Sequence, residues 1–338
     1  MKKNITMKDI AEKLNVSSVT VSKALNDKDG VSEELRGKIK EVAESMGYRI
    51  NAAAKAMRDG YSYNIGVIIP ERFAELAQSF YLQMYQHISR ALESYNYSGI
   101  LHLLSAEDEE NSRLPKIYYE KKVDGFIVLG QTKKQYLQTI KNANTPIVFL
   151  DFYDEYDDVD SVITDNFFGA YELTNYLFKK GHKEIGYVGS LHSTSSIQDR
   201  FLGYYKSLLE HHVKLEQEFI IDDRDDQGLY IDLELPENMP SAFVCNCDQV
   251  ARNLIQKLND MGYSVPDDCS VASFDNDIYA TITEPQLTTV EVNIEEMAGT
   301  AVNFIIDKVK GSKVNYGRVS VKGNIIYRDS VKAINSLV

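Results

Sequence analysis

The sequence predicts a small all-α head followed by a two-lobed α/β core with parallel sheets. Three observations predict it. The first fifty residues carry the caps and apolar stripes of three short helices. From Asn64 the texture changes to short apolar runs separated by helix-length segments. Those runs fall into two series, each reading as one parallel sheet covered on both faces. A length of 338 residues suits two or three domains with ample core. An apolar content of 43% with 26% charged residues is that of a globular protein and speaks against disorder. No apolar stretch approaches the ~20 residues that a bilayer span requires.

The head is read from its N-terminus. Thr6 with Asp9 three residues on makes a capping box, and Ile10, Ala11 and Leu14 then form one apolar face. Asn15-Val16 breaks this helix. Ser17 caps a second one, SVTVSKALN, on which Val21 and Leu25 share a face at i, i+4. Asp27–Gly30 is a loop, and Ser32 caps a third helix with its stripe at Leu35, Ile39, Val42 and Met46. Each helix is too short to be stable alone, so the three must bury their stripes against one another. Two helices joined by so short a turn have the helix-turn-helix layout, although spacing alone fits any small helical bundle equally well. The chemistry of helix two favours the former. With Val21 and Leu25 inward, Ser18, Val19, Ser22 and Lys23 face outward. A hydroxyl can bond a base edge or a phosphate, an apolar side chain can meet a thymine methyl, and a lysine can reach guanine O6 and N7. Arg36, Lys38 and Lys40 offer either backbone contacts or a solvated face.

Charge supports that reading through its distribution. The chain carries a formal −13, which as an average argues against a nucleic-acid partner. Residues 1–60 nevertheless hold 12 Lys and Arg against 9 Asp and Glu, a net +3, leaving −16 on the other 278. Such asymmetry points to a nucleic-acid-binding head.

The stretch TMKDIAEKLNVSSVTVSKALNDKDGVSEELRGKIKEVAESMGY resembles, without a gap, the headpiece of the lactose/galactose repressor family of bacterial transcription regulators. The resemblance implies that Ser18, Val19 and Lys23 read bases. It implies that Thr6, Ser17, Thr20, Ser22 and Asn26 contact phosphates or cap helices. In RINAAAKAMRDGYSYN, the Ala-rich run 52–57 has high helix propensity but is too short to be helical without support. In the family this is a hinge helix that pairs with its dimer mate in the minor groove, where an apolar wedge unstacks a base step. Carried over, the hinge contacts are Asn51, Ala54, Lys55 and Met57. Met57 is the wedge where Leu is usual, and Ile50 replaces the common Pro.

The core runs are NIGVII (64–69), SGILHLL (98–104), DGFIVLG (124–130) and TPIVFL (145–150), then EIGYVGS (184–190), SAFVC (241–245), DCSVASFD (268–275) and LTTV (287–290). Two such lobes place a small-molecule cleft beyond the carboxyl ends of their strands. Through SVITDNFFGAYELTNYLFKKGHKEIGYVG and VASFDND with TEPQLTTVEVNIEEMAGTAV, this region is similar to the periplasmic-binding-protein-like core of the same family. The expected organisation is a headpiece over 1–49, a hinge over 50–60, and a core over 61–338. Within the core, one lobe takes 61–163 plus 292–324 and the other 164–291 plus 325–338.

Cleft residues follow from the same likeness. Phe80 and Tyr81 match an aromatic pair that stacks on the effector, though adjacent helical aromatics serve as core equally often. Asp151 and Asp275 end strands at effector positions, Arg200 matches the effector-clamping arginine, and Ser196 is a weaker contact. An arginine with two carboxylates suits a polyhydroxylated neutral ligand, since each group needs a partner once water is excluded. The family often reads C-A-N-D where this chain has Cys245-Asn246-Cys247-Asp248. Cys247 therefore takes the effector-contacting position, and Asn246, one residue earlier, points to the other face. The acidic cluster Asp154, Glu155, Asp157, Asp158 and Asp160 reads as solvated loop.

Several classes lack support. Three cysteines make neither a disulfide framework nor, without clustered partners, a metal site. None of the six histidines has a ligand-spaced partner. The N-terminus has charges where a signal peptide needs an apolar stretch, which predicts a cytoplasmic protein. Walker, nucleophile-elbow and zincin motifs are missing, so neither an enzyme nor a cofactor is expected. No leucine heptads follow the last strand-like run, which leaves a homodimer on an inverted-repeat, double-stranded operator as the simplest assembly. The expected function is a ligand-responsive repressor of carbohydrate-use genes with a sugar effector. Rivals are a nucleobase-sensing regulator, a transport solute-binding protein and a sugar-processing enzyme.

Overall fold

A computed structural model describes residues 5–49, 52–74, 80–155 and 158–334 and divides the chain into two units, Met1–Ser62 and Tyr63–Val338. The first holds α1 (Met7–Leu14), α2 (Ser18–Leu25), α3 (Glu33–Ser45) and α4 (Ala52–Asp59). Thr6 and Asp9 close a reciprocal capping box, with Thr6 N donating to Asp9 Oδ2 at 2.7 Å. Ser17 and Ser32 accept from Thr20 N and Leu35 N as N-caps of α2 and α3. Asn15 ends α1 at a φ of 53°, a left-handed conformation that its short amide side chain tolerates. Ile10, Ala11, Val21, Ala24, Ile39 and Ala43 are buried, with Leu14, Leu25, Leu35, Val42 and Met46 packed around them. The buried seam of α2 thus runs through Val21 and Ala24, and Leu25 lies at its margin.

The second unit opens with β1 (Asn64–Pro70), α5 (Phe80–Glu93), β2 (Ser98–Leu104), α6 (Ala106–Glu110), α7 (Lys116–Tyr119), β3 (Gly125–Leu129), α8 (Lys134–Lys141), β4 (Ile147–Leu150) and β5 (Ser161–Thr164). It continues through α9 (Asn166–Lys179), β6 (Ile185–Val188), α10 (Ser195–Glu210), β7 (Ile220–Ile221), β8 (Ala242–Cys245), α11 (Asp248–Asp260), β9 (Ser270–Asp275), α12 (Ile278–Ile282) and β10 (Thr288–Glu291). It ends with α13 (Ile294–Val309), β11 (Arg318–Val321) and β12 (Asn324–Ile326). One sheet has the order β11-β5-β4-β3-β1-β2 and the other β12-β10-β9-β8-β6-β7. Every pairing is parallel except β12 against β10. The chain passes between sheets three times: after β5, after β10, and between β11 and β12.

Each sheet buries both faces. Ile65, Val67 and Ile69 meet α5 and α13 on one side, while Ile68 and Val128 meet Tyr136 and Leu137 of α8 on the other. In the second sheet Tyr187 and Val244 pack on α9 and α10, and Phe243 and Val271 on α11. This period-2 division is what continuous apolar runs require of a doubly covered strand. Four strands lie outside the apolar runs read from the sequence. β7 has only two residues, β5 is a fully buried four-residue strand, and β11 and β12 are edge strands that bury only part of their residues. Between β7 and β8, residues 222–241 form no helix; Leu233, Leu235 and Met239 lay this irregular segment on the sheet.

The acidic loop is less uniform than expected. Asp154 bonds Glu155 N, and Glu155 and Asp158 pair with Lys134 and Lys141. Asp160, however, is fully buried and accepts from Tyr316 N and Gly317 N at 2.7 Å, with Lys308 at 2.8 Å. It is a structural anchor because a buried carboxylate needs this many donors. Asp157 lies outside the described residues.

Candidate nucleic-acid interface and ligand cleft

In the first unit, α2 exposes Ser18 and Val19 and leaves Ser22 and Lys23 partly exposed. Val19 is 63% exposed. Together with Thr6, Met7 and Lys8, three of these residues (Ser18, Val19 and Ser22) line a shallow concavity of ≈ 590 Å³. Apolar side chains set among hydroxyls and a lysine make a surface suited to base edges and phosphates. The Lys23 ammonium lies back over Gly30, 3.1 Å from where a Cβ would stand. Thr6, Ser17 and Thr20 spend their hydroxyls in local caps, and Asn26 Nδ2 donates to Ser22 O at 2.7 Å. Arg36 braces the head by bonding Asp27, Glu33 and the carbonyls of Ala24 and Lys28. Of the hinge residues, Ala54, Lys55 and Met57 lie within α4, and Met57 is 88% exposed. Asn51 and the side chains of Ala54 and Lys55 lie outside the described residues.

In the second unit, four expected cleft residues converge. Tyr81, from the first turn of α5, donates to Asp151 Oδ2 at 2.9 Å. The other oxygen, Oδ1, is buried with no hydrogen-bond partner among the described residues. Arg200 of α10 lies 3.4 Å from Asp275 at the end of β9, and both groups act electrostatically on Asp151. Arg200 is itself fixed by Asn166 Oδ1 at 2.7 Å, by the Asn246 carbonyl and by the Phe274 ring. Burial pushes the Asp151 carboxyl up to about 6 against the pull of Arg200 and Tyr81, with Asp275 adding to the rise. Burial also raises Asp275, opposed by Arg200 and Arg224. Both aspartates take left-handed backbone, φ 66° and 109°, which turns the chain sharply at each strand end.

The remaining expectations are placed as follows. Phe80 meets Tyr81 edge-on at 5.2 Å, and Tyr81 in turn lies against Phe73 at 5.0 Å. Ser196 Oγ bonds Thr194 Oγ1 at 3.0 Å, within the cap of α10. Cys247 is half-buried at the start of α11, its thiol 3.9 Å from the Tyr230 hydroxyl. Burial and the Asp275 carboxylate push that thiol up to about 12, which keeps it protonated and unreactive at neutral pH. Asn246 turns inward, donating to Val188 O and Asp223. The sequence reading missed the network it joins: Asp223 is buried, pairs with Arg224 at 2.7 Å and accepts from Ser190 N. Its signal was present only as the run Asp222-Asp223-Arg224 after β7. No group of His, Cys, Asp and Glu among the described residues could hold a metal ion, and no described helix is long and apolar enough to cross a membrane.

Residues 6–51 match the family described as bacterial regulatory proteins, lacI family, and residues 174–331 match the periplasmic binding protein-like domain. The chain belongs to the lacI family. It is 29% identical over 304 residues to the HTH-type transcriptional regulator RegA of Clostridium saccharobutylicum, covering 88% of this chain and 90% of that one. Catabolite control protein A of Staphylococcus epidermidis is 29% identical over 289 residues, covering 85% and 87%. Among solved structures, a lac repressor dimer bound to operator and the anti-inducer ONPF superposes with a TM-score of 0.78 at 22% identity, covering 98% and 100%. A CelR–cellobiose complex gives 0.70 at 20% identity, covering 97% and 100%. As a lacI-family member, the chain is a DNA-binding transcription regulator and not an enzyme, with the helix-turn-helix head and two-lobed parallel α/β core of that family.

Proposed function

We propose that this lacI-family protein is a cytoplasmic homodimeric repressor of carbohydrate-use genes that releases or grips an inverted-repeat operator in response to a sugar. Residues 1–49 read the operator through Ser18, Val19 and Lys23, with Thr6, Ser17, Thr20, Ser22 and Asn26 on the backbone. The hinge, 50–60, sets Met57 in the minor groove beside Asn51, Ala54 and Lys55. The core, 61–338, holds the sugar among Phe80, Tyr81, Asp151, Ser196, Arg200, Cys247 and Asp275. A ligand that closes the cleft more tightly in one of two states biases the spacing of the hinges.

The observation that carries the sugar reading is the buried, unpartnered Asp151 Oδ1, on a carboxylate that shares its electrostatic surroundings with the Arg200–Asp275 pair. A buried acceptor without a donor costs free energy that a sugar hydroxyl recovers. A thermal-shift panel of mono- and disaccharides, cellobiose included, tests it. Purine bases are the contrasting arm, since a relative 28% identical over 290 residues is the repressor PurR of Actinobacillus pleuropneumoniae. At a hundred times its Kd the effector should stabilise the protein by about 2.7 kcal/mol, and the same sugar should change operator affinity. A response confined to purines would overturn the sugar assignment.

A further inference from the structure

Among the described residues, two hydrogen bonds join the lobes across the cleft, and neither is an expected ligand contact. Tyr153, two residues past Asp151, donates its hydroxyl to Asp199 Oδ1 at 2.9 Å. The Arg318 guanidinium of β11 covers the Tyr153 ring at 4.3 Å from its centroid, so the ring is supported from behind by its own lobe. Gln131, just past β3, accepts from Ser195 N at 3.3 Å through Oε1. Ser195 is the first residue of α10, where a helix leaves backbone N–H groups without internal partners. One lobe therefore caps a helix of the other. Both bonds land within the first five residues of α10, immediately before Arg200.

We propose that Tyr153 is a positioning residue of the ligand cleft. Its hydroxyl ties the strand end that carries Asp151 to the helical turn that carries Arg200, and so sets how closed the cleft stands before ligand arrives. The proposal rests on the cleft being the effector site, yet the tie can be measured with no ligand present. A ligand that needs the closed state binds with an apparent Kd raised by the inverse of that state's population, so loosening the tie weakens binding without touching the ligand.

The test uses the full chain and Tyr153→Phe, which keeps the ring beneath Arg318 and deletes the hydroxyl, shared with Asp199 and Arg318. Hydrogen-exchange mass spectrometry of the unliganded protein should show several-fold faster exchange in 195–201, with α11 unchanged. Asp199→Asn retains an acceptor and should behave as wild type. Asp199→Ala should match Tyr153→Phe, and the double variant should be no worse than either single, the mark of one shared interaction. With cellobiose as probe, the Kd of Tyr153→Phe should rise about three- to tenfold. Wild-type exchange in Tyr153→Phe, or additive effects in the double variant, overturns the proposal. Altered exchange in a protein that binds no sugar would leave the tie intact and overturn the effector reading instead.

Discussion

The two lobes are built alike and equipped differently. Their sheets share one strand order, so that β4 corresponds to β9, β3 to β8 and β1 to β6. Asp151 directly follows β4 and Asp275 ends β9, each in left-handed backbone. Gln131 follows β3 as Asn246 and Cys247 follow β8. Yet Asp275 has an arginine at 3.4 Å, whereas Asp151 accepts one hydrogen bond, from the Tyr81 hydroxyl, feels Arg200 without an ion-pair contact, and leaves one oxygen without a partner among the described residues. The same backbone device thus delivers one carboxylate already neutralised and one awaiting a donor. Lobe topology supplies the positions; local partners decide which position is free for a ligand.

Removing the arginine should break the comparison most severely. Arg200→Ala strands the buried Asp275 carboxylate, the Asn246 carbonyl and Asn166 Oδ1 together. Breaking a buried pair from one side costs about 3–5 kcal/mol, so urea denaturation should show a loss of that order and the ligand response should vanish. Retention of wild-type stability would mean that Asp275 is not held by Arg200.

The unpaired carboxylate should reveal itself through pH. Asp151 stands at about 6 in the folded protein against an ordinary 3.8, so the native state binds its proton more tightly than the unfolded chain does. Its contribution to stability is full below pH ~4 and is lost as pH rises through 6, about 3 kcal/mol in all. Asp151→Asn has no such proton to lose. The stability difference between variant and wild type should therefore grow in the variant's favour from pH 4 to pH 7. Parallel stability curves would show that Asp151 is already compensated.

What was legible in the sequence follows the range of each interaction. The caps at Thr6, Ser17 and Ser32 are three-residue affairs and could be read directly. So could strand-ending carboxylates, because Asp151 and Asp275 each close an apolar run. Tyr153, Asp199, Gln131 and Asn166 could not, since their partners are 34 to 64 residues away and meet only once strand order is known. Arg36 offered two readings, solvated or phosphate-facing, and is not solvated: its side chain is 11% exposed and bonds two backbone carbonyls that the sequence does not announce. Edge strands β11 and β12 escaped because partly exposed strands need no continuous apolar run.

The smallest expected effect sharpens the likeness of the lobes instead of their difference. Gly66 of β1 sits opposite Phe126 of β3, and Gly186 of β6 sits opposite Phe243 of β8. A Cβ on Gly66 would come within 2.5 Å of the Phe126 ring, and one on Gly186 within 2.6 Å of the Phe243 ring. Both rings are fully buried, so neither can swing into solvent, and each lobe has fixed the same glycine for the same phenylalanine. Overpacking of this kind costs about 1–3 kcal/mol. Gly66→Ala and Gly186→Ala should therefore lower the melting temperature by similar amounts. The double variant should be additive, because the two sites lie in separate sheets and share no partner. If one glycine tolerates alanine and the other does not, the lobes pack their first strands differently despite a common order, and equivalence between them stops at topology.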